Sequence, residues 1–193
     1  MILDSIDFTD FFKHIEGIFE NHFSQEQTKD IMTFVDILSD ANFRCYKANM
    51  IVIKSRKENE GNHKLIADME WVARSVGEYR VSSKARINNC IALFNPKTNP
   101  NVTSANTYSW VSDDVVYSIG EMMDRLSIET IKREDFFRNN RPDHMRQASQ
   151  HLTDRVEMYL KAKLQEIDEK GFYECIHEQR TYDLEGIIEE LVI

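Results

Sequence analysis

No proline occurs before Pro96, and only six glycines punctuate the 193 residues. So few breakers exclude a fold of many short strands and favour long helices. Cysteine is scarce as well: Cys45, Cys90 and Cys175 lie far apart and form no Cys-x-x-Cys pair. That removes a disulfide framework and a structural zinc site, leaving buried free thiols or one catalytic thiol as the alternatives. No apolar run approaches the roughly 20 residues that cross a bilayer. The first residues lack a basic region followed by an apolar stretch, so no membrane segment and a cytoplasmic location are expected. The phosphate-cradling Gly-x-x-x-x-Gly-Lys-Ser/Thr loop, the dinucleotide fingerprint Gly-x-Gly-x-x-Gly and the Gly-x-Ser-x-Gly elbow are all missing. A P-loop kinase, a Rossmann enzyme and an α/β hydrolase therefore lack support, and no motif defines a cofactor.

Positive charge is also short: 24 Lys and Arg stand against 33 Asp and Glu, a net charge of -9. Nucleic-acid binding depends on a positive surface that neutralises phosphates, and this balance argues against it. Residues 130–146 are a local exception, with Lys132, Arg133, Arg138, Arg141 and Arg146 against Glu134, Asp135 and Asp143. That segment is either a solvated helix face or an anion-binding edge. Hydrophobic residues are 41% and charged residues 30%, ordinary for a globular chain, and one domain over 1–193 is expected.

Periodicity then places the helices. Thr9 or Asp10 can cap a first helix with Phe11, Phe12, Ile15, Ile18, Phe19 and Phe23 on one face. Ser24 and Gln27 have capping-box spacing and start a second, carrying Ile31, Phe34, Val35 and Leu38. The run Met50-Ile51-Val52-Ile53 fits a buried helix turn or a strand equally. A third helix is expected at about 62–75 and a fourth from about Ser82, closed by Asn95-Pro96. Residues 95–114 read as a long polar loop, either a lid or an inert excursion, in which Tyr108 to Val111 could form a strand. Asn139-Asn140-Arg141-Pro142 makes a turn before a long helix over 143–170, with Gly171 at its C-cap. Residues 184–193, rich in Leu, Ile and Glu, read as a last helix packed on the core or on a partner.

One stretch between the loop and that turn combines a start signal with an unusual charge arrangement. Ser118 and Glu121 have capping-box spacing, and Ile119, Met122, Met123 and Leu126 share a face to be buried. Glu121, Asp124 and Arg125 are pushed to the flanks, where Glu121 and Arg125 can pair four residues apart. Glu70 and Arg74 make a second such pair on the third helix. Two pairs on different helices suggest a polar network between helices, where ligand sites can be built. A metal centre is not expected, since no two of the expected helices each carry a Glu-x-x-His pair and His144 and His151 are seven apart.

The same stretch carries a likeness. Gly120, Asp124, Arg125, Leu126, Ser127 and Ile128, followed by Lys132, resemble the helix start of an uncharacterised bacterial family, domain of unknown function four-two-five-four. Lys84-Ala85-Arg86-Ile87-Asn88 is similar to that family's Lys-Arg-x-Ile-Asp, and Ala73-Arg74 to its Ala-Arg. Gly171 and then Arg180-Thr181-Tyr182-Asp183 echo its Lys-x-Tyr-Asn-Asp segment, with Arg in place of Lys and the Asn absent. The resemblance lies mainly over residues 118–183. It implies an all-helical fold with recurring Asp, Arg and Lys positions and brings no activity. Its relatives occur among genes for surface-polysaccharide synthesis.

These observations lead to an expected all-α bundle of about six helices. Arg125, Lys132, Arg74, Glu70 and Lys84, with Asp124, are expected to line a polar pocket for a phosphorylated small molecule, such as a sugar phosphate or nucleotide sugar. Arg would be the bidentate phosphate clamp, and Asp124 or Glu121 the candidate acid or base. The alternative is a helical oligomerisation or interaction module without catalysis, self-associating through residues 184–193.

Overall fold

Two helices of about 50 Å each frame the molecule. The computed structural model describes residues 6–57, 63–97 and 114–179. In chain order these form α1 (Thr9–Glu20), α2 (Gln25–Lys57), α3 (His63–Phe94), β1 (Asp114–Tyr117), α4 (Ile119–Arg138), α5 (Asp143–Lys170) and β2 (Ile176–Gln179). The fold is all-α, and the described residues form five helices and a small antiparallel ribbon, in which Asp114 pairs with Gln179 and Tyr117 with Ile176.

The Ser24 signal acts in full. Ser24 N–H donates to Gln27 Oε1 at 3.0 Å and Gln27 N–H donates to Ser24 Oγ at 3.3 Å, so each side chain satisfies a backbone donor at the start of α2. The ambiguous run at 50–53 is helical. Buried Ile31, Val35, Leu38 and Ala41 continue as Ala48, Val52 and Ser55, a three-and-four spacing that serves a helix and would scatter across both faces of a strand.

The third and fourth expected helices are one. Gly77 costs a helix interior about 1 kcal/mol relative to Ala, too little to break α3 while it packs along α2. The two run antiparallel: Phe23 meets Phe94 at one end, with ring centroids 6.0 Å apart, and Arg56 meets Glu70 towards the other. With this fusion the described residues form five helices, against the about six expected for the whole chain. The loop over 98–113 and the tail over 180–193 lie outside the described residues, as do Tyr108 to Val111 and the proposed last helix.

α4 packs against α2, α3 and α5. The core gathers Ile15, Phe19, Ile31, Leu38, Ile87, Ile91, Ile119, Met122, Met123, Leu126, Val156 and Leu160 around it. The turn before α5 uses Asn140 at φ 49, a left-handed conformation that Asn tolerates. Gly171, at φ 77, closes α5 by donating its N–H to Ile167 O at 2.7 Å.

Candidate functional site

Because three helices surround α4, it buries polar residues as well as apolar ones. Asp124, Glu129 and Asp135 are 6%, 2% and 2% exposed. A buried carboxylate is tolerated only where donors replace its water, and each of these three draws at least one donor from a neighbouring helix.

The start of α4 is closed first. Ser118 Oγ accepts from Glu121 N–H at 3.2 Å, Asn88 Oδ1 from Gly120 N–H at 2.8 Å and Tyr173 Oη from Ile119 N–H at 3.3 Å. The donors that a free helix start offers to an anion are therefore occupied by side chains. Gly120 is required by proximity: a Cβ there would lie 2.5 Å from Lys84 O and 2.9 Å from Asn88 Nδ2. α3 and α4 thus touch almost backbone to backbone.

One turn on, Asp124 receives a fork from Arg80. Nη2 lies 2.9 Å from Oδ2 and Nε 3.2 Å from Oδ1, and Asn42 Nδ2 donates to Oδ1 at 2.9 Å. Lys84 Nζ sits 2.6 Å from Glu121 Oε1 and 3.9 Å from Asp124 Oδ2. Two carboxylates and two cations make this a charge-balanced quartet joining α3 to α4. Burial pushes the Asp124 carboxyl up, but Arg80 and Lys84 outweigh it and hold the group below the usual carboxylate range. Glu121 goes the other way: burial, reinforced by neighbouring Asp124, raises it against the pull of Lys84. Asn42 also donates to Ser127 Oγ at 2.5 Å and so ties α2 in, while its buried Oδ1 has no partner among the described residues.

Glu129 forms a second knot. Arg125 Nε and Lys132 Nζ lie 3.3 and 3.0 Å from its Oε1, and Ser149 Oγ on α5 donates to Oε2 at 2.9 Å. Asp135 forms a third, accepting from Tyr46 Oη on α2 at 2.7 Å and from Asn139 Nδ2 at 2.7 Å. Burial and the neighbouring Asp135 carboxylate both raise the Tyr46 hydroxyl pKa, so it stays a donor.

The expected site residues divide accordingly. Lys84, Glu121 and Asp124 meet in one cluster, while Arg125 and Lys132 meet at Glu129 instead. Glu121 gives its carboxylate to Lys84, while its backbone N–H completes the Ser118 cap. Glu70 and Arg74 are exposed on α3, where Glu70 pairs with Arg56 on α2 and not with Arg74. Glu70 lies ten residues before Arg80, roughly 15 Å along the helix.

Sequence reasoning missed Arg80, Asn42, Glu129, Tyr46 and Asp135. Two signals were there: Arg80 precedes Lys84 by one turn, and Asn42 follows Val35 and Leu38 on the buried stripe.

Further along, cations of residues 130–146 are engaged within the chain, Arg133 with Gln150, Arg138 with Glu134 and Arg146 with Asp143. Among the described residues no group of three His, Cys, Asp or Glu side chains is placed to hold a metal ion, and no helix is long and apolar enough to cross a membrane. The three cysteines are free and half-buried, with burial raising the thiols of Cys90 and Cys175. No family model matches the chain, and neither a curated protein nor a solved structure does.

Proposed function

We propose that the protein is a helical interaction module, non-catalytic, whose interior charges hold its helices in place and whose outer helix faces meet a partner. The observation that carries this reading is the closure of the Arg80–Asp124 and Lys84–Glu121 pairs: both cations already hold carboxylates at hydrogen-bond distance. An incoming anion would have to displace a buried carboxylate and leave it without a partner, an exchange that costs several kcal/mol. Exposed Trp71 and Tyr79 on α3, 69% and 63% accessible, add the large amphipathic side chains that interfaces favour. Membership of the helical family that residues 118–132 resemble is part of this proposal and brings no activity with it.

The second reading is a pocket for a sugar phosphate or nucleotide sugar, with Asp124 or Glu121 as acid or base. It is favoured by the convergence of Arg80 and Lys84 on one point beside the unpartnered Asn42 Oδ1. A thermal-shift screen with inorganic phosphate, sugar phosphates and nucleoside diphosphates separates the two. The interaction module predicts no stabilisation by any of them. A stabilising compound whose effect disappears in Lys84→Gln or Arg80→Gln would overturn it.

A further inference from the structure

The outer face of α2 carries charges in an order that complements itself. Asp30, Ile37, Asp40, Arg44, Lys47 and Lys54 follow one another at intervals of three, four or seven, which sets them on one stripe of the helix. All are exposed except the half-buried Lys47. The acidic members come first and the cations second: residues 41–57 contain Arg44, Lys47, Lys54, Arg56 and Lys57 and no carboxylate. Measured from position 42, Asp40 and Arg44 are each two residues away, Ile37 and Lys47 five, and Asp30 and Lys54 twelve.

A two-fold axis across α2 at that midpoint lays two copies antiparallel. Asp30 then faces Lys54 of the partner subunit, and Asp40 faces Arg44 of the partner subunit. The helix dipoles also oppose one another favourably. We propose that this stripe is a self-association face and that its occupant is a second copy of this chain, docked antiparallel. This rests on the interaction-module reading and names its partner.

An anionic partner such as a nucleic acid would match Arg44 to Lys54 but meet Asp30 and Asp40, and a basic partner would meet the reverse; the same chain reversed matches both halves. Asp40 and Arg44 pair within one chain at 2.9 Å, and Lys47 and Lys54 also have partners there. Sign and register, not unpaired groups, make the match. With Ile37 as the chief apolar residue among these six, the dimer is reversible and weakened by salt.

The test is sedimentation equilibrium on the full chain from about 1 to 200 μM, a range that brackets micromolar association, at low and high salt. The wild type dimerises at low salt and dissociates as salt rises. Asp30→Lys and Lys54→Glu each weaken dimerisation about tenfold or more, because each sets like charges opposite one another. An equimolar mixture of the two variants associates again, as does the Asp30→Lys/Lys54→Glu double variant. Far-UV circular dichroism checks that both exposed changes leave the helices intact. A wild type that stays monomeric at low salt overturns the proposal. So does a dimer indifferent to both charge reversals, which would keep the interaction-module reading and move its interface to another face.

Discussion

Replacing Asp124 by Ala removes the carboxylate that receives the Arg80 fork. Asn42 Nδ2 loses the Asp124 Oδ1 to which it donates, and Arg80, whose side chain is 19% exposed, keeps its charge with little water to solvate it. Lys84 retains Glu121 at 2.6 Å and is less affected. Breaking a buried pair by deleting one partner costs about 3–5 kcal/mol, and the partial exposure of Arg80 places this case near the lower figure. For a domain of this size, that lowers the melting temperature by roughly 6–12 °C.

Urea denaturation with scanning calorimetry measures it, with Glu70→Ala as control. Glu70 belongs to an exposed pair with Arg56, 47% and 63% accessible, and its loss costs about 0.5 kcal/mol or less. The double variant Arg80→Met/Asp124→Leu recovers most of the loss, since apolar residues of similar volume replace a buried pair at little cost. If Asp124→Ala is no more harmful than Glu70→Ala, the fork does not hold α3 to α4 and the reasoning fails.

A depressed Asp124 pKa stabilises the native state above about pH 3.8, and that contribution is lost as pH falls through the folded value. The raised Glu121 pKa favours the native state below its ordinary 4.5, an advantage lost as pH rises through the folded value. The stability of Glu121→Gln relative to wild type should therefore increase from pH 4.5 to 7; a difference that stays flat across that window contradicts the burial of Glu121. At the backbone contact, Gly120→Ala forces a Cβ against Lys84 O and costs about 1–3 kcal/mol or more. Gly77→Ala, with nothing within 4 Å of the added carbon, stabilises α3 by about 0.5–1 kcal/mol. Equal effects in thermal melts would show that the two helices do not approach as described.

What the sequence made legible is local. The capping box at Ser24, the Ser118 N-cap, the Gly171 C-cap and the stripe of Ile119, Met122, Met123 and Leu126 are each encoded within a few residues, and each forms, although the Glu121 side chain leaves the Ser118 box for Lys84. The extent of α2 and α3 was less legible, because Met50 to Ile53 and the Gly77 to Ser83 stretch are locally neutral and become helical by packing along one another. Least legible was the interior of α4. Periodicity assigns the flanks of an amphipathic helix to solvent, but a helix with neighbours on three sides buries its flanks too, and Asp124, Glu129 and Asp135 go inside. Their main donors, Arg80, Ser149 and Tyr46, lie between 20 and 89 residues away, a pairing that no local pattern records. Among the expected site residues, Lys84, Glu121 and Asp124 came together through α3 and α4, whereas Glu70 and Arg74 were matched to each other by spacing and are split by the closer approach of Arg56.

The most direct measurement is native-state hydrogen exchange of the amides from Ile119 to Lys132, followed by NMR or mass spectrometry. If α4 is enclosed by three helices, with its first N–H groups held by Ser118, Asn88 and Tyr173, these amides exchange only through global unfolding and their protection equals the full unfolding free energy. Rapid exchange of Ile119, Gly120 and Glu121 under native conditions, while the amides of α2 and α3 stay protected, would mean that the start of α4 is open, and it would contradict the closed, structural network.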